Sequence, residues 1–144
     1  MATYTKFQVF VEKLAGKALD LFGTGGSCDA VYCMLSNVQP VNTNNVKTDI
    51  TQIANGNGYT TDGASATPNG TRSGGTMTLA GTSIVWTCVT APMGPFQFVV
   101  LYDNTTGDLI AWWDYGSAIT LQVGDTFTVN FNGGNPTGTI FTLA

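Results

Sequence analysis

The chain has 144 residues, of which only 10% are charged, and its formal net charge is −4 with five Lys and Arg residues in all. A protein that grips nucleic acid through its phosphates needs a Lys/Arg surface, so this composition argues against nucleic acid as a partner. Hydrophobic residues make up 43% of the chain, which favours a single folded domain over 1–144 rather than a disordered protein. No run of 18 apolar residues is present, so the sequence predicts neither a membrane span nor a membrane partner.

The first apolar segment, Phe7–Phe22, has the three-and-four spacing of an amphipathic helix. Gly16 weakens its interior and Gly23 follows its end. We expect a short helix that packs on a sheet or lies against a neighbouring subunit, within an N-terminal arm and helix spanning 1–26. Residues 1–6 lack the basic and apolar regions of a secretory signal, which predicts folding in a cytoplasm.

The three cysteines, Cys28, Cys33 and Cys88, are odd in number and cannot all pair within the chain. We expect free thiols buried as small apolar groups. Cys28–Ser36 alternates like a strand, and two positions an odd number apart in a strand point to opposite faces. Cys28 and Cys33 therefore cannot bond to each other within it.

Residues 37–75 are rich in Asn, Thr, Gly and Ser and contain few apolar anchors. Long segments of this kind in a compact domain usually serve a function or take their shape from a partner. The sequence predicts an extended surface loop with one helical turn around Val46–Ile53. Two short apolar runs follow, Thr76–Leu79 and Ile84–Val89, and we predict that they form a hairpin around the intervening Ala-Gly turn.

The most informative stretch is Pro95–Phe131, where three apolar runs are separated by turn residues and large side chains recur at period two. This pattern predicts consecutive antiparallel strands. Phe96–Tyr102 is apolar on both faces, with Phe96 expected beside Phe98, and we predict a central strand buried on both sides. Thr126–Phe131 alternates apolar with polar residues and should have one solvent-exposed face.

The middle strand of this stretch, Leu109–Tyr115, places Trp112 and Trp113 on opposite faces. Either both faces are covered within one subunit, or one tryptophan is left for a partner chain. Trp112, Trp113 and Tyr115 could also form a sugar-stacking platform, although aromatic residues at strand spacing more often belong to a core or a subunit interface.

Few residues have the types and spacing that catalysis needs. The chain contains no histidine, which excludes mechanisms based on imidazole. The cysteines lack the spacing of zinc ligands. Asp103 and Asp108 flank a turn, and the residues between them lack the terminal glutamate of a calcium-binding loop. We therefore interpret the two aspartates as caps of the strand ends. The sequence thus predicts no catalytic residue, no metal and no cofactor, and an enzyme is the least favoured function.

Many short alternating runs between turn residues favour a mainly β fold. We predict an antiparallel β-sandwich, jelly-roll-like or another Greek key, with a short N-terminal helix and a long surface loop. The C-terminal region 132–144 consists of a Gly/Asn/Pro linker and an alternating run. This run can supply a closing edge strand or reach across to another subunit.

Four blocks of the sequence, Phe10–Ala15, Met34–Asn37, Ile53–Thr60 and Gly94–Phe131, resemble in this order a group of small virion proteins of tailed bacteriophages. The similarity runs from about residue 7 to residue 131, and the last block is its specific part. It implies a structural component of the particle with a β-sandwich body. Among such proteins the best assignment is a capsid decoration or cement protein, often a trimer, that binds the major capsid protein on the outer surface of the head across neighbouring capsomers.

The resemblance implies a virion protein of the capsid surface, made in the host cytoplasm. The alternative is a tail, neck or fibre-associated structural protein with a carbohydrate-binding aromatic patch. For either function we expect the interface to use large apolar side chains, namely Phe7, Phe10, Tyr59, Trp112, Trp113, Tyr115, Ile140 and Phe141. Decoration also predicts that loss of 1–6 or 139–144, or disruption of 37–75, loosens attachment while the body stays folded.

Overall fold

The computed structural model describes residues 2–24, 28–132 and 136–144, and the fold is mainly β, with antiparallel sheets and one short helix near the N-terminus. The helix, α1, spans Gln8–Ala15, and a 3-10 turn spans Lys47–Asp49. No helix among these residues is long and apolar enough to cross a membrane. The strands are β1 (Thr3–Lys6), β2 (Gly23–Thr24), β3 (Val31–Ser36), β4 (Ala64–Ser65), β5 (Asn69–Ser73), β6 (Thr76–Thr82), β7 (Ile84–Thr87), β8 (Met93–Asp103), β9 (Leu109–Leu121), β10 (Thr126–Val129) and β11 (Thr137–Leu143).

These strands form three antiparallel sheets, with the orders β1-β9-β8-β3-β4, β10-β7 and β11-β6-β5-β2. The central position of β8 confirms the prediction, and hydrophobic clusters cover both of its faces. Leu79 of β6 belongs to the first cluster and Phe141 of β11 packs against it, so the four-stranded sheet covers one face of the five-stranded sheet. The result is the sandwich-like packing that the alternation predicted.

A single residue, Ser83, separates β6 from β7, and the two behave as one interrupted strand. Thr137 of β11 lies opposite Thr82, and Thr126 of β10 lies opposite Thr87. The Ser83 N–H donates to the carbonyl of Pro136, just before β11. β10 and β11 therefore lie one after the other beside β7 and β6, and the outward sides of β10 and β11 together form one long outer edge.

The predicted hairpin between β6 and β7 is wrong, because Gly81 lies inside β6 instead of in a turn. A Cβ at Gly81 would lie 2.8 Å from Ile140 Cδ1 and 3.0 Å from the Ala66 carbonyl oxygen. Neighbouring strands pack so closely at this position that a side chain on residue 81 would collide with them.

One side-chain direction in β8 also differs from the alternation. Phe96 belongs to the same cluster as Val99 and Leu101, whereas Phe98 belongs to the opposite cluster. The register between β8 and β9 shifts between Phe96 and Phe98. A bulge of this kind turns the side chains that precede it to the other face.

The helix α1 ends well before the predicted Phe22. Gly16 closes it by donating its N–H to the Glu12 carbonyl at 2.8 Å, and Lys17 adopts a left-handed φ of 58°. Leu19 and Leu21 still enter the core, but they do so at the spacing of an extended chain. Residues 1 and 25–26 of the predicted N-terminal region and 133–135 of the predicted C-terminal linker lie outside the described residues.

The segment 37–75 contains β4, β5 and the 3-10 turn, and it is not the surface excursion that its composition predicted. Ile50, Tyr59 and Ala66 are buried in the two hydrophobic clusters. Gly58 holds the segment against the end of β7, since its φ is 105° and a Cβ there would lie 1.9 Å from the Thr87 carbonyl oxygen. Disruption of this segment would remove core residues.

Both ends of the chain are paired strands. Thr3 of β1 lies opposite Asp114 of β9, and β11 is an edge strand of the four-stranded sheet, as one of the two alternatives for 132–144 proposed. Removal of either end deletes a sheet strand. The expectation that these ends are dispensable for the body is therefore revised.

Candidate functional site

An apolar groove runs along the outer edge of β10 and β11. Two adjoining cavities, of about 370 and 420 Å³, form it, and Tyr4 and Ile140 line both. Volumes of this size fall in the range of ligand pockets. The first cavity is lined by Ala2, Tyr4, Val99, Trp113, Tyr115, Phe127–Asn132, Thr139 and Ile140, and the second by Tyr4, Lys6, Phe10, Val11, Leu14 and Ile140–Leu143. We call the two cavities together the β10–β11 groove.

The floor of the first cavity is one face of the five-stranded sheet. Tyr4 of β1 lies opposite Trp113 of β9, and their ring centroids are 5.5 Å apart. Val99 of β8 lies opposite Trp113 on its other side, and Tyr115 follows two positions along β9. Residues two apart in a strand share a face, so these side chains form one apolar surface that consists of three aromatic rings and Val99.

The wall of this cavity is β10 with the residues that follow it. Phe127–Asn132 line the cavity without interruption, although successive side chains of a strand point to opposite faces. This segment therefore presents its backbone edge to the groove. In an antiparallel strand, the N–H and C=O groups of alternate residues point to the neighbour on one side. Among the described strands, β7 is the one neighbour of β10. Within the described ranges, no backbone hydrogen bond joins Thr126–Phe131 to an element on the groove side.

The groove is nearly free of charge. Among the described residues that line the first cavity, no side chain is ionised at neutral pH, and Lys6 is the charged residue described in the second. Asn130 supplies polarity, and its Oδ1 already accepts a hydrogen bond from Ser83 Oγ at 2.6 Å. The groove thus suits binding of an apolar, uncharged group and offers no paired nucleophile and base.

Five of the eight predicted interface residues line this groove. Phe10 is buried there, and the four more open ones are Trp113, Tyr115, Ile140 and Phe141. Tyr115 is 56% exposed, and the other three are partly buried. Tyr4 and Phe127, which also line the cavity, were not among the predicted interface residues. The alternation of apolar and polar residues in Thr126–Phe131 was the sequence signal by which Phe127 could have been found.

Four of the eight, among them Phe10 of the second cavity, are a correction, because their side chains are buried. Phe7, Phe10, Tyr59 and Trp112 are 0–7% exposed. Trp112 faces the second cluster, with its ring 5.7 Å from that of Phe98, so the chain itself covers it. The three-residue sugar platform is not formed, and Trp113 is the tryptophan left partly open.

Tyr59 is a core residue, although it lies in a polar segment of the sequence. Burial raises the pKa of its phenol to about 12, so the hydroxyl stays protonated. It donates to Gln52 Oε1 at 2.8 Å and accepts from the Leu35 N–H at 3.2 Å. These bonds fix the segment 37–75 to β3.

Asp103 and Asp108 lie at the β8–β9 turn, away from the groove. Asp103 Oδ1 accepts the N–H groups of Thr105 at 2.7 Å and Thr106 at 3.1 Å, which confirms its role as a turn cap. Burial and the nearby Asp29 carboxyl raise the pKa of Asp103 to about 6.

Asp108 instead pairs with Lys13 of α1 at 3.2 Å. Across the described part of the chain, no three His, Cys, Asp or Glu side chains meet as a metal site requires. These carboxylates therefore support the fold around the turn, and the groove remains the strongest candidate site.

Comparisons with protein-family models, with curated proteins and with solved structures find no match to this chain.

Proposed function

We propose that this chain is a bacteriophage capsid decoration protein, which binds the outer surface of the assembled head and stabilises contacts between capsomers. The supporting observation is that the block 94–131, the specific part of the resemblance, also builds the groove. Val99, Trp113, Tyr115 and Phe127–Phe131 of that block all line the first cavity. The segment most typical of the phage group thus coincides with the best binding surface of the molecule.

The physical properties of the molecule suit this function. A decoration protein needs a rigid body and an apolar contact surface, and it needs no active site. Two hydrophobic clusters hold the five-stranded sheet from both faces, while the groove leaves aromatic side chains open. The partner is the major capsid protein, and the protein binds as an oligomer, a trimer in the simplest case. Contacts that are weak singly become strong when an oligomer makes several at once.

The first test is the copy number of this chain in purified virions, measured by quantitative mass spectrometry against the major capsid protein. Decoration predicts a ratio near one. A few copies per hundred capsid subunits would place the protein in the tail or neck. Absence from the particles would refute any structural role in the virion.

A second test adds the purified protein to capsids that were assembled without it. Decoration predicts saturable binding and a higher melting temperature of the capsid, because the bound state alone gains the contact energy. An unchanged capsid melting temperature at saturation would refute the stabilising role and leave only attachment.

The second candidate is a tail, neck or fibre-associated protein that binds carbohydrate. The observation that favours it is the aromatic floor of the first cavity, since Tyr4, Trp113 and Tyr115 line it together with Asn130 and Asn132. Aromatic rings with neighbouring amides are typical of sugar sites. This candidate predicts few copies per particle and a change in tryptophan fluorescence on saccharide binding, which a Trp113→Phe variant reduces.

A further inference from the structure

We propose that the β10–β11 groove binds an extended, uncharged strand of a partner chain, which pairs with the free edge of β10. The strand would form main-chain hydrogen bonds to β10 and place alternate apolar side chains on Tyr4, Trp113 and Tyr115. We assign the strand to the major capsid protein, and in this assignment the inference rests on the proposed function.

The edge of β10 supplies the first argument. Half of the backbone N–H and C=O groups of a strand with a single neighbour point away from that neighbour. In β10 these groups face the groove, since Phe127–Asn132 line it consecutively. Pairing with an added strand satisfies such groups, and strand addition at a sheet edge is a general mode of peptide recognition.

The floor supplies the second argument. A strand beside β10 would lie over the uncovered face of β1 and β9, in the same layer as β10 and β7. That layer already packs on the large sheet through Phe127, whose ring lies 4.9 Å from Phe96 and 6.1 Å from Tyr115. An added strand would continue this packing over Trp113. Its inward side chains should be apolar, because the described lining of this cavity contains no ionised side chain.

The length of the groove sets the length of the bound segment. The first cavity follows six residues, Phe127–Asn132, and at about 3.3 Å per residue this is roughly 20 Å. A segment of five or six residues with two or three inward apolar side chains fits. The second cavity continues along Ile140–Leu143 and gives room for a longer segment.

A second copy of this chain is a poorer donor than another protein. Its two terminal strands, β1 and β11, are already paired with β9 and β6. To donate either strand, a copy would have to break its own sheet. A partner whose extended segment is free in solution has no such cost.

The test places a photo-crosslinking residue, p-benzoylphenylalanine, at Tyr115 in the groove and separately at Val38 as a control. Both side chains are 56% exposed, and Val38 lines neither cavity. Irradiation of assembled particles should link the Tyr115 position to the major capsid protein. Mass spectrometry should locate the linked residue in an uncharged segment with alternating apolar residues, and the Val38 position should not link to that segment.

Other outcomes would overturn the inference. A link from Tyr115 to a second copy would make the groove a self-association site. Absence of any link, in particles that carry the protein at its normal copy number, would refute the groove as the contact and leave decoration intact. Absence of the protein from particles would instead refute the proposed function.

A pair of substitutions measures the contribution of the groove. Tyr115→Lys adds a charge to the groove, and Val38→Lys makes the same change outside it. We expect Tyr115→Lys to weaken binding to capsids at least about tenfold, since central aromatic residues dominate interfaces. Val38→Lys should bind as the unchanged protein does. Equal binding by the two variants, with equal thermal melting of the isolated proteins, would refute the proposal.

Discussion

The close approach of Gly58 to β7 gives a sharp prediction about stability. Gly58→Ala places a methyl group 1.9 Å from the Thr87 carbonyl oxygen, where ordinary contact begins near 3.4 Å. The backbone must therefore move by more than 1 Å. Gly56, two residues earlier, has a similar positive φ of 118°, but nothing lies within 4 Å of its added Cβ. The two alanine variants share the conformational strain and differ in the collision.

The expected magnitudes follow from this difference. A residue other than glycine in such a backbone conformation costs about 1–3 kcal/mol, which is the expected loss for Gly56→Ala. Forcing atoms into a packed site costs about 1–3 kcal/mol more, so Gly58→Ala should lose about 2–6 kcal/mol. A domain of this kind is stable by about 5–15 kcal/mol, and the second variant should be close to unfolding.

Urea denaturation followed by tryptophan fluorescence measures both losses, with the slope of the transition as a check on two-state behaviour. Gly70→Ala adds a control for the collision alone, because Gly70 lacks a positive φ and its Cβ would lie 2.1 Å from the Leu21 carbonyl oxygen. Equal stability of the Gly56 and Gly58 variants would refute the packing of the segment 37–75 against β7.

Three further predictions concern buried groups. Trp112→Ala should lower the free energy of unfolding by about 3–5 kcal/mol in urea titrations, because its side chain is 7% exposed in the second cluster. The pKa of Asp103 is about 6 in the folded protein and near 3.8 in the unfolded chain, so the free energy of unfolding should fall as the pH rises from about 4 to 6. Urea titrations at the two pH values should show a loss of about 1–2 kcal/mol after solvent screening, and Asp103→Asn should remove this loss. Ellman's reagent should label Cys28 alone in the native protein, and slowly because burial and nearby carboxylates raise its pKa, while Cys33 and Cys88 should react only after unfolding.

The strands of the block 95–131 could be predicted from the sequence because the pattern that specifies each strand lies within that strand. Alternation at period two identified β8, β9 and β10, and the glycine at position 107 does take the positive φ that the β8–β9 turn requires. Buried faces on both sides of β8 followed from the same pattern. The direction of Phe96 could not be predicted, since a bulge depends on how β9 aligns with β8.

The segment 37–75 could not be interpreted because its core residues stand alone among polar ones. Tyr59 and Ala66 have no periodic apolar neighbours, and their burial depends on contacts with β3 and β6 that are distant in sequence. Likewise, a glycine that approaches a distant carbonyl looks the same in sequence as a glycine in a loop. The composition predicted a loop where long-range contacts produce strands and core.

The groove could be predicted only in part. Trp113, Tyr115, Ile140 and Phe141 were selected as large apolar residues at strand spacing, and all four line it. Burial was likewise predicted for all three cysteines; it is confirmed for Cys33 and Cys88, whereas Cys28 is partly exposed. The free edge of β10 was not predictable, because it depends on which strands pair, and the expected β6–β7 hairpin would have assigned those pairs differently.

The positions of the two chain ends have a practical consequence for any engineered form of this protein. Ala2 lines the first cavity and Leu143 lines the second, so a fused tag or displayed cargo at either terminus would emerge beside the groove. Under the proposed function, such fusions would compete with the partner for space and would weaken attachment for reasons unrelated to folding. The β8–β9 turn at residues 104–107 lines neither cavity, and an insertion there would leave the groove open.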